Sequence, residues 1–266
     1  MIETTIIDST ALRTHVTVKT VLPEECLPQK IFVLLHGNIY PEGEFSIIEN
    51  LPEELALEEL CEKHHLVVVI PYMKSCYYIS TELYNCDQFV ARELPEWICR
   101  KYSLLSDSEK ILGGISMGGY GAALIGAHTG VFRKIVSISG AYIANDVVIG
   151  NPEVWGDRIP TRESTKGSYL YYFLPLDQVC ESTDKNAIAA LALFSEKNMN
   201  PVFAVTCGTK DWLYPRNLTF VKKLEELGIT YDFLPIDDGG HDSSCFRKGL
   251  WKAMEKIELK SLLNSV

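Results

Sequence analysis

Apolar and polar positions alternate with two different periods along this chain, and the two periods take turns. Residues 2–7 and 13–21 repeat every second position (Thr14, Val16 and Val18 against His15, Thr17 and Lys19), which predicts two leading strands paired as an antiparallel hairpin at a sheet edge. Prolines 23 and 28 break that pattern. Residues 31–35 (Ile-Phe-Val-Leu-Leu) and 66–70 (Leu-Val-Val-Val-Ile) are continuous apolar runs, as expected of central strands covered on both faces. Between them Pro52 is expected to open a helix reaching about His64, with Ala56, Leu57, Leu60 and Cys61 on one stripe and Glu53, Glu54, Glu58, Glu59 and Glu62 on a solvated face. The His64-His65 pair at its end reads as surface.

The second half repeats the alternation. A helix carrying Phe89, Val90, Leu94, Trp97 and Ile98, kinked at Pro95, precedes a strand over 110–115 and a small-residue helix to about His128. A strand over 134–139 follows. From about 141 to 184 the periodicity dissolves into Gly, Pro, Asn and aromatic residues, and so long a connection in a compact domain predicts an inserted lid. Regularity returns with a helix over 187–196, a strand over 202–207, a helix from 215 to 227, a strand over 230–234 and a final helix presenting Leu250, Trp251, Met254 and Ile257 inward. Strands alternating with helices predict one α/β domain across residues 1–266, with a mostly parallel central sheet and helices on both faces.

Composition sharpens this picture in three ways. Net charge is −10, which disfavours nucleic acid and anionic membrane as partners. No apolar run approaches the roughly 20 residues of a membrane span, and no basic-then-apolar leader precedes the first strand. The eight cysteines fall singly, without a C-x-x-C pair, several of them inside apolar patterns. Reduced thiols in a cytoplasmic protein are the expectation, with no metal site. The sequence is compatible with a homo-oligomer.

The chemistry concentrates where strands end. Residues 110–121 run from an apolar strand through Gly114-Ile115-Ser116-Met117-Gly118 into a helix. That order predicts a nucleophile elbow, in which flanking glycines permit close packing and the serine hydroxyl stands at a helix N-terminus. A serine needs a base to take its proton and a third group to orient that base. Among the six histidines, His241 follows the last strand in Asp237-Asp238-Gly239-Gly240-His241; His15 lies in an edge strand, His64 and His65 end a helix, His128 lies in the elbow helix, and His36, at a strand end, suits an anion loop better beside Gly37. Asp211, directly after an apolar strand and a Gly-Thr turn, is the candidate acid, ahead of Asp237, Asp238 and Asp242; the alternative is that it caps the following helix. The order Ser116, Asp211, His241 is that of the α/β-hydrolase triad. An oxyanion needs two fixed donors, for which the backbone N–H groups of Met117 and Asn38 are the candidates, Gly37 allowing close approach.

Four motifs in this order, Leu34-Leu35-His36-Gly37, Gly114-Ile115-Ser116-Met117-Gly118-Gly119, Cys207-Gly208-Thr209-Lys210-Asp211 and Gly240-His241-Asp242, resemble the putative-esterase family of α/β hydrolases, from about residue 15 to 255. That family includes esterase D-like S-formylglutathione hydrolases, tributyrin and feruloyl esterases and mycolyltransferases. The resemblance implies an α/β-hydrolase fold and carboxylester hydrolysis without metal or organic cofactor. It makes Ser116, Asp211 and His241 the triad and the amides of Asn38 and Met117 the oxyanion hole. After His36-Gly37 the chain reads Asn-Ile-Tyr-Pro-Glu rather than the glycine-rich or Leu-Thr-Cys forms of some relatives.

The expected protein is a serine carboxylesterase acting through an acyl-enzyme on small, short-chain esters. Aromatic residues (Tyr40, Tyr77, Tyr78, Trp155 and Trp212) are its candidate pocket walls. A thioesterase of the S-formylglutathione hydrolase type or an acyltransferase is the alternative, and a non-catalytic binding protein of the same fold the third reading.

Overall fold

The computed structural model describes residues 1–38, 46–145, 169–174 and 178–263. In chain order the strands are β1 (Ile2–Ser9), β2 (Thr14–Val21), β3 (Lys30–Leu35), β4 (Leu66–Pro71), β5 (Lys110–Ile115), β6 (Lys134–Ile138), β7 (Val202–Gly208) and β8 (Thr230–Ile236). The helices are α1 (Ser46–Glu54), α2 (Leu57–His64), α3 (Cys86–Gln88), α4 (Leu94–Tyr102), α5 (Met117–Thr129), α6 (Ala187–Ala190), α7 (Ala192–Glu196), α8 (Tyr214–Glu226) and α9 (Ser243–Leu263).

The strands form one sheet in the order β1-β2-β4-β3-β5-β6-β7-β8. The leading hairpin is antiparallel, with Ile2 opposite Val21 and Ser9 opposite Thr14, and joins β4 antiparallel through β2. From β4 to β8 every pairing is parallel. The apolar runs have a simple cause. Successive side chains on a strand face opposite ways, and here both faces are covered: Ile31, Val33 and Leu35 enter one core with α4, α5 and α8, while Phe32 and Leu34 enter the other with α1, α2 and α9. Lysines 248, 252 and 256 stay on the exposed side of α9.

Three helices differ from expectation. The helix expected from Pro52 to His64 starts earlier and breaks at Ala56, which is left-handed (φ 51°, ψ 52°). Residues two apart on an unbroken helix lie roughly 200° apart; the break lets Leu55 and Leu57 both enter the same core. The kink expected at Pro95 takes the form of a π-helical turn at Phe89–Glu93, just upstream, where the Leu94 N–H reaches back five residues to the Phe89 carbonyl. Proline has no N–H to offer Ala91 and its ring crowds that carbonyl, so the register slips by one. The helix expected over 187–196 is two short helices that meet at Leu191.

His64 is a further correction, buried rather than at the surface. The final helix α9 runs along α2: near His64, Lys63 pairs with Glu255 at 2.6 Å, and before the other end Trp251 donates to the Leu55 carbonyl at 3.0 Å.

Of the expected insertion, residues 146–168 and 175–177, Trp155 among them, lie outside the described residues. The described part includes a 3-10 turn, Tyr169–Phe173, whose Phe173 is buried against Tyr77 and Tyr120. The buried Asn186 draws the two ends of this connection together. Its Nδ2 donates to Asn145 Oδ1 at 2.8 Å and to the Cys180 carbonyl at 2.9 Å, while its Oδ1 caps α6 through the Ile188 N–H. All eight cysteines are free.

Candidate active site

Ser116 joins β5 to α5 with φ 55° and ψ −114°. A non-glycine residue held in such a region costs on the order of 1–3 kcal/mol and persists only where its surroundings over-determine it. Three backbone hydrogen bonds do so here. The Ser116 N–H donates to the Ile138 carbonyl at 2.9 Å, and its own carbonyl accepts from Tyr120 N–H at 3.2 Å and Ala141 N–H at 2.9 Å. The glycine spacing follows from contact: a Cβ on Gly114 would strike the backbone of Gly118, and one on Gly118 would strike the Leu35 carbonyl. The serine hydroxyl is thus set, partly exposed, at the head of a 13-residue helix.

At the ends of β7 and β8 the sequence-expected acid and base meet. His241 Nδ1 lies 2.8 Å from Asp211 Oδ2. The other carboxylate oxygen, Oδ1, accepts the Leu213 N–H at 2.8 Å. Asp211 therefore uses both oxygens, one closing the short turn to Leu213 and the other holding the imidazole, and it is not the cap of the following helix, whose N-cap is Leu213. Its side chain is fully buried while His241 is about one quarter exposed (26%). Burial pushes the Asp211 carboxyl up, but hydrogen bonds from His241 and Leu213 N–H outweigh it and bring it below its ordinary value. A carboxylate partner at Nδ1 places the proton there and leaves Nε2 as the basic nitrogen. Two of the three competing acids are accounted for: Asp238 pairs with Lys210 at 2.7 Å, and Asp242 caps α9 by accepting the Cys245 N–H at 3.0 Å. The two loops are stitched by Lys210 N–H to the Gly239 carbonyl at 2.9 Å. Among the described residues none is hydrogen-bonded to the Ser116 hydroxyl, so Asp211 and His241 touch while the serine stands outside that pair.

The loop after β3 passes beside the serine, since a Cβ on Gly37 would lie 3.5 Å from Ser116 Cβ. His36 is buried and neutral, its pKa lowered to about 4 by burial. Its Nδ1–H donates to the Gly37 carbonyl at 2.6 Å, and its Nε2 accepts the Met73 N–H at 2.9 Å. The N–H of Met117 is the first of α5 and has no partner within the helix.

The expected pocket walls separate. Trp212 is 58% exposed, with its ring 5.8 Å from that of His241, and Phe246 meets the same imidazole edge-on at 4.9 Å. Tyr77 and Tyr78 are not at the mouth. Both are buried, Tyr77 against Tyr120 and Phe173, and Tyr78 with its hydroxyl donating to the His36 carbonyl at 3.1 Å. Tyr40, like Trp155, lies outside the described residues.

Sequence reasoning missed Asn217. Fully buried on α8, it accepts Gly140 N–H at 3.1 Å and donates to the carbonyls of Gly140 and Leu213, both at 3.0 Å. It ties the helix behind Asp211 to the segment that bonds Ser116. The signal was an asparagine on the stripe of Phe220 and Leu224.

Comparison with known proteins gives the family and the fold. The model of a family described as Putative esterase matches residues 9–256. An acetyl esterase of Caldicellulosiruptor saccharolyticus is 29% identical over 205 residues, covering 74% of this chain and 73% of that protein. Among solved structures, the fluorophosphonate-binding serine hydrolase F of Staphylococcus aureus superposes with a TM-score of 0.76 at 21% identity, over 97% of this chain and 98% of its own. An S-formylglutathione hydrolase of the same organism superposes at 0.75 with the same identity and coverage. A ferulic acid esterase reaches 0.64 at 20% identity, over 97% and 96%. The shared fold is that of the α/β hydrolases.

Proposed function

This chain belongs to the putative-esterase family, a serine hydrolase of carboxylic esters, and from that premise we propose that it cleaves small, short-chain acyl esters through Ser116, His241 and Asp211. The observation that carries the reading is the buried Asp211 carboxylate 2.8 Å from His241 Nδ1, at the strand ends that also carry the strained Ser116. Ser116 Oγ attacks the ester carbonyl as His241 Nε2 takes its proton, and Asp211 stabilises the imidazolium. The oxyanion is held by the N–H groups of Met117 and Asn38. Collapse expels the alcohol with the proton returned by His241, and water cleaves the acyl-enzyme by the same steps. Organic cofactor and metal play no part in this scheme.

A short acyl group is supported by two things: the relative named acetyl esterase, and the buried cluster of Tyr77, Tyr120 and Phe173, which fills space next to Met117. Trp212, beside the general acid, is placed on the leaving-group side. Free cysteines throughout fit a reducing, cytoplasmic setting.

The test is hydrolysis of nitrophenyl esters from acetate to octanoate, with a feruloyl ester and a thioester alongside, by wild type and Ser116→Ala. Turnover should peak at short chains and fall in the variant by about 10⁴-fold or more, with the melting temperature retained. Ser116→Ala activity within tenfold of wild type would overturn the assignment. Faster thioester than ester turnover would move the protein to the thioesterase reading.

A further inference from the structure

We propose that the segment from Tyr72 to Tyr78 is a positioning clamp for the oxyanion hole, and that it acts through the buried hydroxyl of Tyr78. The inference rests on the hydrolase reading above and adds residues that the triad and its donors do not include.

Three hydrogen bonds run from this short segment to the two loops that carry the proposed donors. Met73 N–H donates to His36 Nε2 at 2.9 Å, and Tyr78 O–H to the His36 carbonyl at 3.1 Å. Tyr77 N–H donates to Met117 Sδ at 3.4 Å. The first of these decides a tautomer. Because a backbone N–H occupies Nε2, the ring proton must sit on Nδ1, and there it is given to the Gly37 carbonyl at 2.6 Å.

That carbonyl belongs to the same peptide unit as the Asn38 N–H. A trans peptide is planar, with its C=O and N–H pointing opposite ways. Fixing the Gly37 oxygen therefore fixes the direction of the Asn38 donor. Tyr78 pins the preceding peptide at the His36 oxygen, so both peptide planes leading to Asn38 are held.

The clamp is built at a cost. Lys74, Tyr77 and Tyr78 all have positive φ (53°, 51° and 56°), in a region that bulky side chains rarely adopt. The Tyr78 ring is wholly buried against α5, where a Cβ on Gly121 would strike it. Strain of this kind beside a reactive centre is found where geometry matters to the chemistry. Tyr78 is a positioning residue, since it acts through His36 and not on substrate.

The experiment compares Tyr78→Phe with Tyr142→Phe, in the same ester assay and with a boronic acid as oxyanion-mimicking inhibitor. Tyr142 loses a comparable buried hydroxyl, bonded to Ser137 Oγ at 2.7 Å. Tyr78→Phe should lower kcat about 10- to 100-fold with KM within twofold, and weaken boronic acid binding in parallel. Tyr142→Phe should lower stability similarly but keep kcat within twofold.

A second pair keeps the test informative if Tyr78→Phe does not fold. His36→Asn offers an amide nitrogen near the place of Nδ1, whereas His36→Gln offers an oxygen near the place of Nε2. The relay predicts at least tenfold higher kcat for His36→Asn than for His36→Gln, counted per active site by acyl-enzyme burst. A kcat in Tyr78→Phe within twofold of wild type, or equal kcat in the two His36 variants, overturns the inference. If wild type turns over esters and Ser116→Ala does not, that failure is of the clamp alone. Wild type inert on the whole ester and thioester series overturns the hydrolase reading and the clamp with it.

Discussion

Gly118 shows how finely the elbow is set. A β-carbon there would collide with the Leu35 carbonyl and crowd that of His36, so sheet and helix touch backbone to backbone with no side chain to yield. Gly118→Ala should cost about 3 kcal/mol, a fall of roughly 6–12 °C in melting temperature, read by circular dichroism. Residues of this kind were legible in the sequence because glycine at fixed spacing has one strong steric meaning. Ser116, Asp211 and His241 could be picked out because each follows an apolar strand. Tyr78 was legible only as an aromatic residue in a loop. Nothing in its neighbours says that its hydroxyl turns inward to His36, because that direction is set by two left-handed residues in a row. Asn217 was hidden for a similar reason, two of its three main-chain partners, the N–H and carbonyl of Gly140, being far away in sequence.

Among the elements, α5 carries a second polar arrangement at its far end. His128 Nδ1 lies 3.0 and 3.1 Å from the two Asp87 oxygens, and Nε2 lies 2.7 Å from the Thr183 carbonyl. Both partners only accept, so both ring nitrogens carry protons. The resulting cation sits at a helix C-terminus, where it is favoured, with Asp184 nearby and Lys197 donating to the His128 carbonyl at 2.7 Å. Burial lowers the His128 pKa, but Asp87, Thr183 and Asp184 outweigh it and raise it above the ordinary 6.5. A raised folded-state pKa contributes stability that is complete below the unfolded value and is lost as pH climbs through the folded one. His128→Gln should therefore lose about 1–2 kcal/mol at pH 6 and much less at pH 9, measured by urea denaturation at both. At this scale the strands were well read, since continuous apolar runs admit few other uses. The breaks at Ala56 and Leu191 were missed, because where a helix stops was decided by which leucines the core could take; the irregularity at Pro95 was read, though not its form, a slipped hydrogen-bond register just upstream.

For the whole molecule, the sheet is sealed on both faces by separate cores, and two buried imidazoles, His36 and His64, both with pKa lowered by burial, weaken it in acid, His36 the more strongly. His36 stays neutral in the fold with its pKa near 4, whereas in the unfolded chain it takes a proton near 6.5. Between those values the unfolded state binds more protons, so stability falls as pH drops through that window, by up to about 3 kcal/mol. Denaturation midpoints between pH 4 and 8 should show this decline, and His36→Asn should flatten it. Asp211, with its carboxyl lowered, adds its own loss at still lower pH. The parallel sheet, its antiparallel edge hairpin and the placing of the chemistry at strand ends were all legible from alternation of period. The neutral, load-sharing role of His36 was not, since it depends on a peptide N–H of Met73 arriving from another loop.

Asn186 gives the molecule a form of modularity. By holding Asn145 and Cys180 with a single amide nitrogen, it makes the long excursion between them start and finish at nearly one point. The cost of closing such a loop grows only slowly with its length. A change of length or sequence between the anchors would thus leave from and return to the same place in the fold.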